Sequence, residues 1–152
     1  MQRFVDLLTR RWWLTVLVVA VGLFALIQLV PYRVDNPPVV NEPNWDSPQT
    51  RALAVAACFD CHSNETRYPW YAYITPVNWW LQKSHIEHGR HHVNFNEWGT
   101  YSAEDRAEVV EEGLELLKEG EMPVPSYTWL HADARLADST RHELVAFFAA
   151  LR

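Results

Sequence analysis

The sequence predicts an all-α protein, in which one long apolar helix precedes a small domain of about four short helices with long loops. Two observations favour this fold class. Residues 12–30 contain no charged side chain, and later stretches repeat apolar residues at helical spacing. No stretch shows sustained alternation of apolar and polar residues, so no strand is predicted. The chain therefore divides into three parts, residues 1–30, 31–47 and 48–152.

The first part is predicted to be a basic cytoplasmic flank followed by a transmembrane signal-anchor. As a helix, residues 12–30 would be about 28 Å long, close to the apolar thickness of a bilayer. Arg3, Arg10 and Arg11 precede this stretch together with a single acid, Asp6, which favours a cytoplasmic N-terminus. A cleaved signal peptide is the alternative, but no small-residue cleavage site follows the stretch. The rest of the chain would then be exported.

Residues 31–47 are predicted to form a Pro-rich tether, because prolines mixed with Asn and Asp favour extended backbone over a packed element. The chain beyond residue 30 is acidic. It holds all but three of the 13 Lys and Arg and all but one of the 19 Asp and Glu. This balance argues against nucleic acid as a partner, since phosphate binding needs a basic face. A cationic redox partner would be compatible with it.

The third part, residues 48–152, carries the signals of four helices. Ser47 and Thr75 each precede a proline, which is a typical helix start. Ser102 and Asp105 resemble a capping box, and Gly120 would end the helix that this box begins. Apolar residues follow each start at helical spacing. The predicted helices cover about residues 48–58, 76–89, 102–120 and 138–151.

The only two cysteines of the chain lie in the motif Cys58-Phe59-Asp60-Cys61-His62. Two thiols at this spacing can add to two vinyl groups of one porphyrin, and the adjacent histidine can then bind the iron. The alternatives are a zinc site completed by a histidine at position 85, 88, 91 or 92, a thioredoxin-like redox pair and a structural disulfide. The redox pair would need a βαβ setting that the sequence lacks. The motif therefore predicts one covalently attached haem c.

The motif continues into further recognisable pieces. It reads C-x-x-C-H-S-N-x-T, and is followed by Pro-Trp-Tyr, Pro-Val-x-Trp-Trp, Gly-Arg, Asn-Phe-x-Glu-Trp and a tail Gly-Glu-Met-Pro-Val-Pro-Ser-Tyr with His131 after it. With these pieces the chain resembles the bacterial haem-binding domain family over about residues 37–151. The resemblance implies a cytochrome c-like, mostly helical domain with a single haem. Together with the predicted signal-anchor, this would place the haem domain on the periplasmic side of a bacterial inner membrane.

The sixth ligand of the iron is predicted to be Met122, which lies in a short Pro-bearing loop after a helix. A thioether ligand in such a position raises the reduction potential, although a methionine can also simply fill an apolar gap. His85 is the runner-up, because it lies four residues after Leu81 on the same helix face. His131 could brace the loop or hydrogen-bond a propionate, and His142 is predicted to be exposed.

Aromatic side chains near the motif are predicted to wall the haem pocket, and a nearby arginine could pair with a propionate. Ordinary core packing for the aromatic residues, or surface charge for the arginines, is the alternative. The preferred haem contacts are Trp70, Trp80, Arg90 and Tyr127, with Tyr71, Trp79 and Arg67 as further candidates.

These features predict a membrane-anchored monohaem c-type cytochrome that transfers electrons to redox partner proteins and catalyses no turnover of a small molecule. An open-site haem protein, either peroxidase-like or gas-sensing, is the first alternative. It would require that Met122 is not a ligand, and His85 would then serve as the polar distal group. A cytochrome subunit of a larger respiratory or photosynthetic complex is the second alternative. The sequence identifies no electron donor or acceptor.

Overall fold

The structure, a computed structural model, describes residues 2–30 and 32–151, with side chains from residue 11 onward. Within this part the chain is helical and forms no strand beyond one isolated β-bridge between Asn41 and Glu97, which confirms the all-α class. The α-helices are α1 (Gln2–Ile27), α2 (Pro48–Ala57), α3 (Phe59–His62), α4 (Val77–Leu81), α5 (His88–His92), α6 (Ala103–Glu119), α7 (Pro125–Leu130) and α8 (Asp138–Ala150). A π-helical segment (Gln82–Glu87) joins α4 to α5, and 3-10 turns lie at Trp70–Tyr73, Trp98–Thr100 and Ala132–Ala134.

The four helices predicted after the tether correspond to α2, the α4–α5 pair, α6 and α8. Their start and stop signals act as expected. The Ser47 hydroxyl accepts a hydrogen bond from the Thr50 amide at 3.0 Å. Ser102 and Asp105 form a reciprocal capping box, and Gly120 ends α6 with a left-handed φ of 77°. The short helices α3 and α7 were not predicted, since neither is long enough to show a periodic pattern.

The core lies between α2, α6 and α8 and is rich in aromatic rings. Phe59 stacks on Phe95 with ring centroids 5.7 Å apart, and Trp45 stacks on Phe147 at 4.8 Å. Buried aliphatic side chains of α6 and α8 complete it, among them Leu114 and Leu144. Phe59 belongs to the Cys-x-x-Cys-His motif, so the core itself fixes the position of that motif.

The segment predicted as a tether has no regular structure but is attached along the surface of the domain. Asn36 and Thr66 exchange two hydrogen bonds, at 2.9 and 3.3 Å. Further along, the amides of Val40 and Asn41 donate to the carbonyl of Asn96, both at 3.0 Å. The prolines keep the backbone extended, but these bonds make residues 32–47 a strap rather than a chain that swings freely.

Every described side chain of α1 from residue 11 to residue 26 is exposed. Among the described residues, no helix has both the length and the apolar character needed to cross a membrane. The transmembrane helix predicted at residues 12–30 is therefore not supported. The side chains of Arg3 and Arg10 in the predicted basic flank lie outside the described part, as does Pro31 at the start of the predicted tether.

Candidate functional site

A cavity of about 280 Å³ lies between the Cys-x-x-Cys-His motif and α6. Its walls are mainly apolar side chains of α6 and of the loop after it, and α5 and the π-helical segment close a further side. Cys58, Cys61 and His62 all line the cavity, and so do Met122 and His85. The fold thus brings together residues that are up to 64 positions apart in the sequence.

The imidazole of His62 is oriented by two backbone carbonyls. Its Nδ1 lies 3.0 Å from the carbonyl oxygen of Gly89 and 3.3 Å from that of Val93. A carbonyl can only accept, so Nδ1 carries the proton and Nε2 keeps a free lone pair. Burial lowers the pKa of His62, although the two carbonyls oppose this shift. A neutral imidazole with an oriented, unprotonated Nε2 is the form that binds a metal.

The thiols of Cys58 and Cys61 are not joined by a disulfide. Burial raises the pKa of both to about 12, and the negative charge of Asp60 adds to the effect on Cys61. Thiols with such a pKa remain protonated at neutral pH and lack the thiolate character of a catalytic redox pair. The raised pKa of both thiols therefore does not favour the thioredoxin-like alternative.

Met122 is held in the wall of the cavity through its backbone. Its amide donates to the carbonyl of Leu116 at 3.2 Å. Arg141, from α8, donates to the carbonyls of Met122 and Leu117 at 2.9 and 2.7 Å. Charge-assisted bonds of this kind are stronger than neutral ones, so α8 fixes the position from which the thioether enters the cavity. No pattern in the sequence indicates that Arg141 has this role.

A network of buried asparagines holds the backbone around His62. The amide of Asn64 donates to the side chain of Asn96 at 2.7 Å, and the side chain of Asn94 donates to that of Asn64, also at 2.7 Å. The amide of Phe95 donates to the carbonyl of His62 at 2.8 Å. These asparagines belong to the S-N-x-T and N-F-x-E-W pieces of the sequence. Buried polar groups need partners, which explains why the two pieces occur together.

Tyr127 also acts on the motif, but not as a wall of the cavity. Its hydroxyl donates to the carboxylate of Asp60 at 2.6 Å, and its ring stacks on His131 with centroids 3.9 Å apart. Burial, followed by the bond to Asp60, raises the pKa of Tyr127, so the phenol stays a donor. Asp60 lies between the two cysteines. This bond therefore ties the loop that follows Met122 to the motif.

The other preferred haem contacts do not line the cavity. Trp70 and Trp80 are 72% and 57% exposed, and Trp80 lies edge-on to His85 with centroids 4.4 Å apart. Arg90 donates to the Ser63 carbonyl at 2.7 Å and to the strap, where it reaches the Asp35 carbonyl at 2.6 Å. Its donors are thus engaged in joining the strap to the motif. The additional candidates, Tyr71, Trp79 and Arg67, lie outside the lining as well.

The remaining histidines separate into two groups. His88 and His92 line the cavity but are exposed, with their Nε2 atoms 3.3 Å apart. His91 is exposed too, and so is His142, as predicted. Among the described residues, no three His, Cys, Asp or Glu side chains are grouped closely enough to hold a metal ion. The structure therefore gives no support to the zinc alternative.

The donors around the cavity fit a haem: two unbridged thiols, an imidazole with a free Nε2, and a thioether. Comparison with known families agrees with this chemistry. The profile of the haem-binding domain family matches residues 22–150, so the chain belongs to the haem-binding domain family. It is accordingly a haem protein. Neither a curated protein nor a solved structure shows significant similarity to the chain.

Proposed function

We propose that the chain is a c-type cytochrome with a single haem, which transfers electrons at a membrane outside the cytoplasm. The observation that carries this proposal is the orientation of His62. Its Nδ1–H is bonded to the Gly89 carbonyl, so its Nε2 is free in the same cavity as two thiols and the Met122 thioether. Such a set of donors matches a covalently held haem with two axial ligands better than any other cofactor.

The cysteines would hold the haem covalently. Cys58 and Cys61 would each add an S–H across one vinyl double bond, so that sulfur bonds to one carbon, hydrogen goes to the other, and no oxidant is consumed. Their protonated state supplies that hydrogen. The asparagine network and the core position of Phe59 keep the two thiols and His62 on one wall of the cavity.

The axial ligands would determine the chemistry. A haem iron bound by His and Met exchanges one electron, and the thioether raises its reduction potential. His62 contributes a neutral imidazole whose ring cannot rotate without losing its carbonyl partners. Met122 contributes a thioether whose backbone is fixed by Arg141. The fold thus holds both side chains in place without a cofactor. Little of the protein would then need to move when the haem gains or loses an electron.

Attachment to a membrane through residues 12–30 remains part of the proposal. The support is the surface of α1, whose described apolar side chains from Trp12 to Leu26 are exposed. Burial of apolar surface away from water is favourable by roughly 25 cal/mol per Å². A lipid phase would supply that burial and keep the domain near redox partners in the same membrane.

An open-site haem protein is the second candidate, because His85 lines the same cavity as Met122. Burial lowers the pKa of His85, so its imidazole is neutral. It would serve as a replacement ligand or as a proton acceptor beside an open coordination position. Attachment to a larger respiratory or photosynthetic complex is compatible with either candidate.

The optical spectrum of the purified full chain, matured with haem, tests the proposal. We expect haem to stay with the denatured chain, and Cys58→Ser or Cys61→Ser to weaken that attachment. We expect a weak near-infrared band typical of Met–iron ligation, lost in Met122→Ala and kept in His85→Ala. Haem that is extracted completely from the wild-type chain by acid and solvent contradicts covalent attachment. High-spin iron that binds carbon monoxide readily in the wild type contradicts the His–Met ligand pair and favours the open site.

A further inference from the structure

Four large aromatic side chains of the domain are exposed on two neighbouring elements. Trp70 and Tyr73 lie on a 3-10 turn, and Trp79 and Trp80 lie on α4, which packs against that turn. All four are more than one third exposed. Scattered exposed apolar residues are normal, but a group of large ones marks an interaction site. We call these four residues the aromatic surface.

The end of α1 is fixed to this aromatic surface. The Gln28 side chain accepts from the Thr75 amide and donates to the Thr75 carbonyl, both at 2.9 Å, as a paired backbone would. The Trp79 indole donates to the Val30 carbonyl at 3.2 Å. The joint between helix and domain thus has three directed hydrogen bonds.

A cation lies at the same joint. The Arg33 guanidinium is 4.3 Å from the centre of the Tyr73 ring, within the range of a cation–π contact. Arginine at such a place keeps its stem on an apolar surface and its charge in water, where it can bind a phosphate. Many acidic side chains of the domain lie on a different element, α6, which packs against α8.

We propose that the aromatic surface lies in the head-group region of a lipid bilayer, so that the haem domain is seated on the membrane in one orientation. This inference rests on the membrane attachment proposed above. The apolar surface of α1 continues into the aromatic surface through the Gln28 joint, and a lipid bilayer would cover both. Indole and phenol rings with one polar atom are the side chains that favour this layer.

The seating has a consequence for the cavity. Trp80 packs against His85, and His85 lines the cavity. One rim of the haem site is therefore adjacent to the aromatic surface and would be held close to the lipid. A redox partner embedded in the same membrane would then meet this rim without a search over all orientations of the domain.

Photo-crosslinking of the full haem-loaded chain in vesicles tests the seating. The vesicles contain phosphatidylcholine, with or without phosphatidylglycerol, and flotation first establishes whether the chain binds them. A benzophenone amino acid is placed at the position of Trp80 or of Trp70, and at Glu108 on α6 as the control. Illumination and mass spectrometry then measure lipid adducts at each position. We expect several-fold more adduct at the two aromatic positions than at Glu108.

Two variants sharpen the result. Gln28→Ala removes two of the three hydrogen bonds of the joint and is expected to reduce the difference between position 80 and Glu108. Thr15→Ala, at an exposed position of α1, is expected to leave that difference unchanged. A chain that floats with vesicles but gives equal adducts at all positions overturns the seating and leaves membrane attachment intact. A chain that does not float overturns both, while the spectra still test haem ligation independently.

Discussion

Replacing Tyr127 by Phe removes one hydroxyl and leaves the ring that stacks on His131 in place. The lost bond joins that hydroxyl to the Asp60 carboxylate at 2.6 Å. A hydrogen bond to a charged group contributes about 1.5–3 kcal/mol to stability. Asp60 keeps the Arg67 amide at 3.0 Å and its Nε at 3.3 Å, so the carboxylate does not lose all its donors. We therefore expect Tyr127→Phe to lower the free energy of unfolding by about 1.5–2 kcal/mol.

Urea unfolding of the full chain at neutral pH measures this loss. With a slope of about 2 kcal/mol/M, the midpoint should fall by about 0.8–1 M while the slope stays the same. Tyr71→Phe is the matched control, because the Tyr71 hydroxyl lies 3.3 Å from Nε2 of His131 rather than from a carboxylate. Its expected cost is at most about 1 kcal/mol. Equal losses for the two variants, or a Tyr127→Phe loss below about 0.5 kcal/mol, would refute the reasoning.

The same variant has a second expected effect at the iron. Tyr127 lies five residues after Met122, and its bond to Asp60 joins that loop to the haem motif. We expect Tyr127→Phe to lose the near-infrared Met band at a lower temperature than the wild type does, with haem still attached. An unchanged midpoint of that loss would show that the bonds to Arg141 and Leu116 hold the loop without Tyr127.

Three further predictions concern the ligand, the helix packing and the strap. Met122→Ala should let the iron bind carbon monoxide while the chain stays folded. A carbon monoxide titration followed by visible absorbance measures this binding. A variant that does not bind carbon monoxide would contradict thioether ligation. Gly89→Ala would place a Cβ 2.5 Å from the carbonyl oxygen of Cys61 in the haem motif. We therefore expect urea unfolding to show a free energy of unfolding that is lower by about 1–3 kcal/mol. The control Ser84→Ala, at an exposed position, should lower it by less than about 0.5 kcal/mol. Glu42→Gln should cost about 1–2 kcal/mol at neutral pH, since Glu42 accepts from Arg51 at 2.6 and 2.8 Å. These bonds lower the pKa of Glu42. Its contribution to the free energy of unfolding is therefore present above its ordinary pKa of 4.5 and is lost as the pH falls below that value. A stability difference between the wild type and Glu42→Gln that persists in acid would contradict this reasoning.

Local signals in the sequence were sufficient for the four main helices of the domain and for one wall of the site. Ser47, Ser102 and Gly120 act within a few residues of themselves, because capping is a local interaction. The spacing of Cys58, Cys61 and His62 is local in the same way. The predicted bounds of the four main helices consequently agree with the structure to within a few residues.

The aromatic residues show what such reasoning leaves open. Trp70 and Trp80 were expected to wall the haem pocket, because large rings are usually buried. Both are exposed and lie outside the lining of the cavity. Composition predicts that a tryptophan needs an apolar partner, but it does not reveal whether that partner is a core, a cofactor or a neighbouring helix. Only the path of the chain decides this.

Two features follow from residues that are close together in the chain: the chain is helical, and it carries a Cys-x-x-Cys-His motif. Tertiary structure decided which residues face that motif. It brought Met122 to the cavity through α8 and Arg141, joined Tyr127 to Asp60 across 67 positions, and turned the predicted tether into a strap. These contacts depend on how the helices pack against one another. The identity of a side chain does not indicate which residue it will contact when that residue is far away in the sequence.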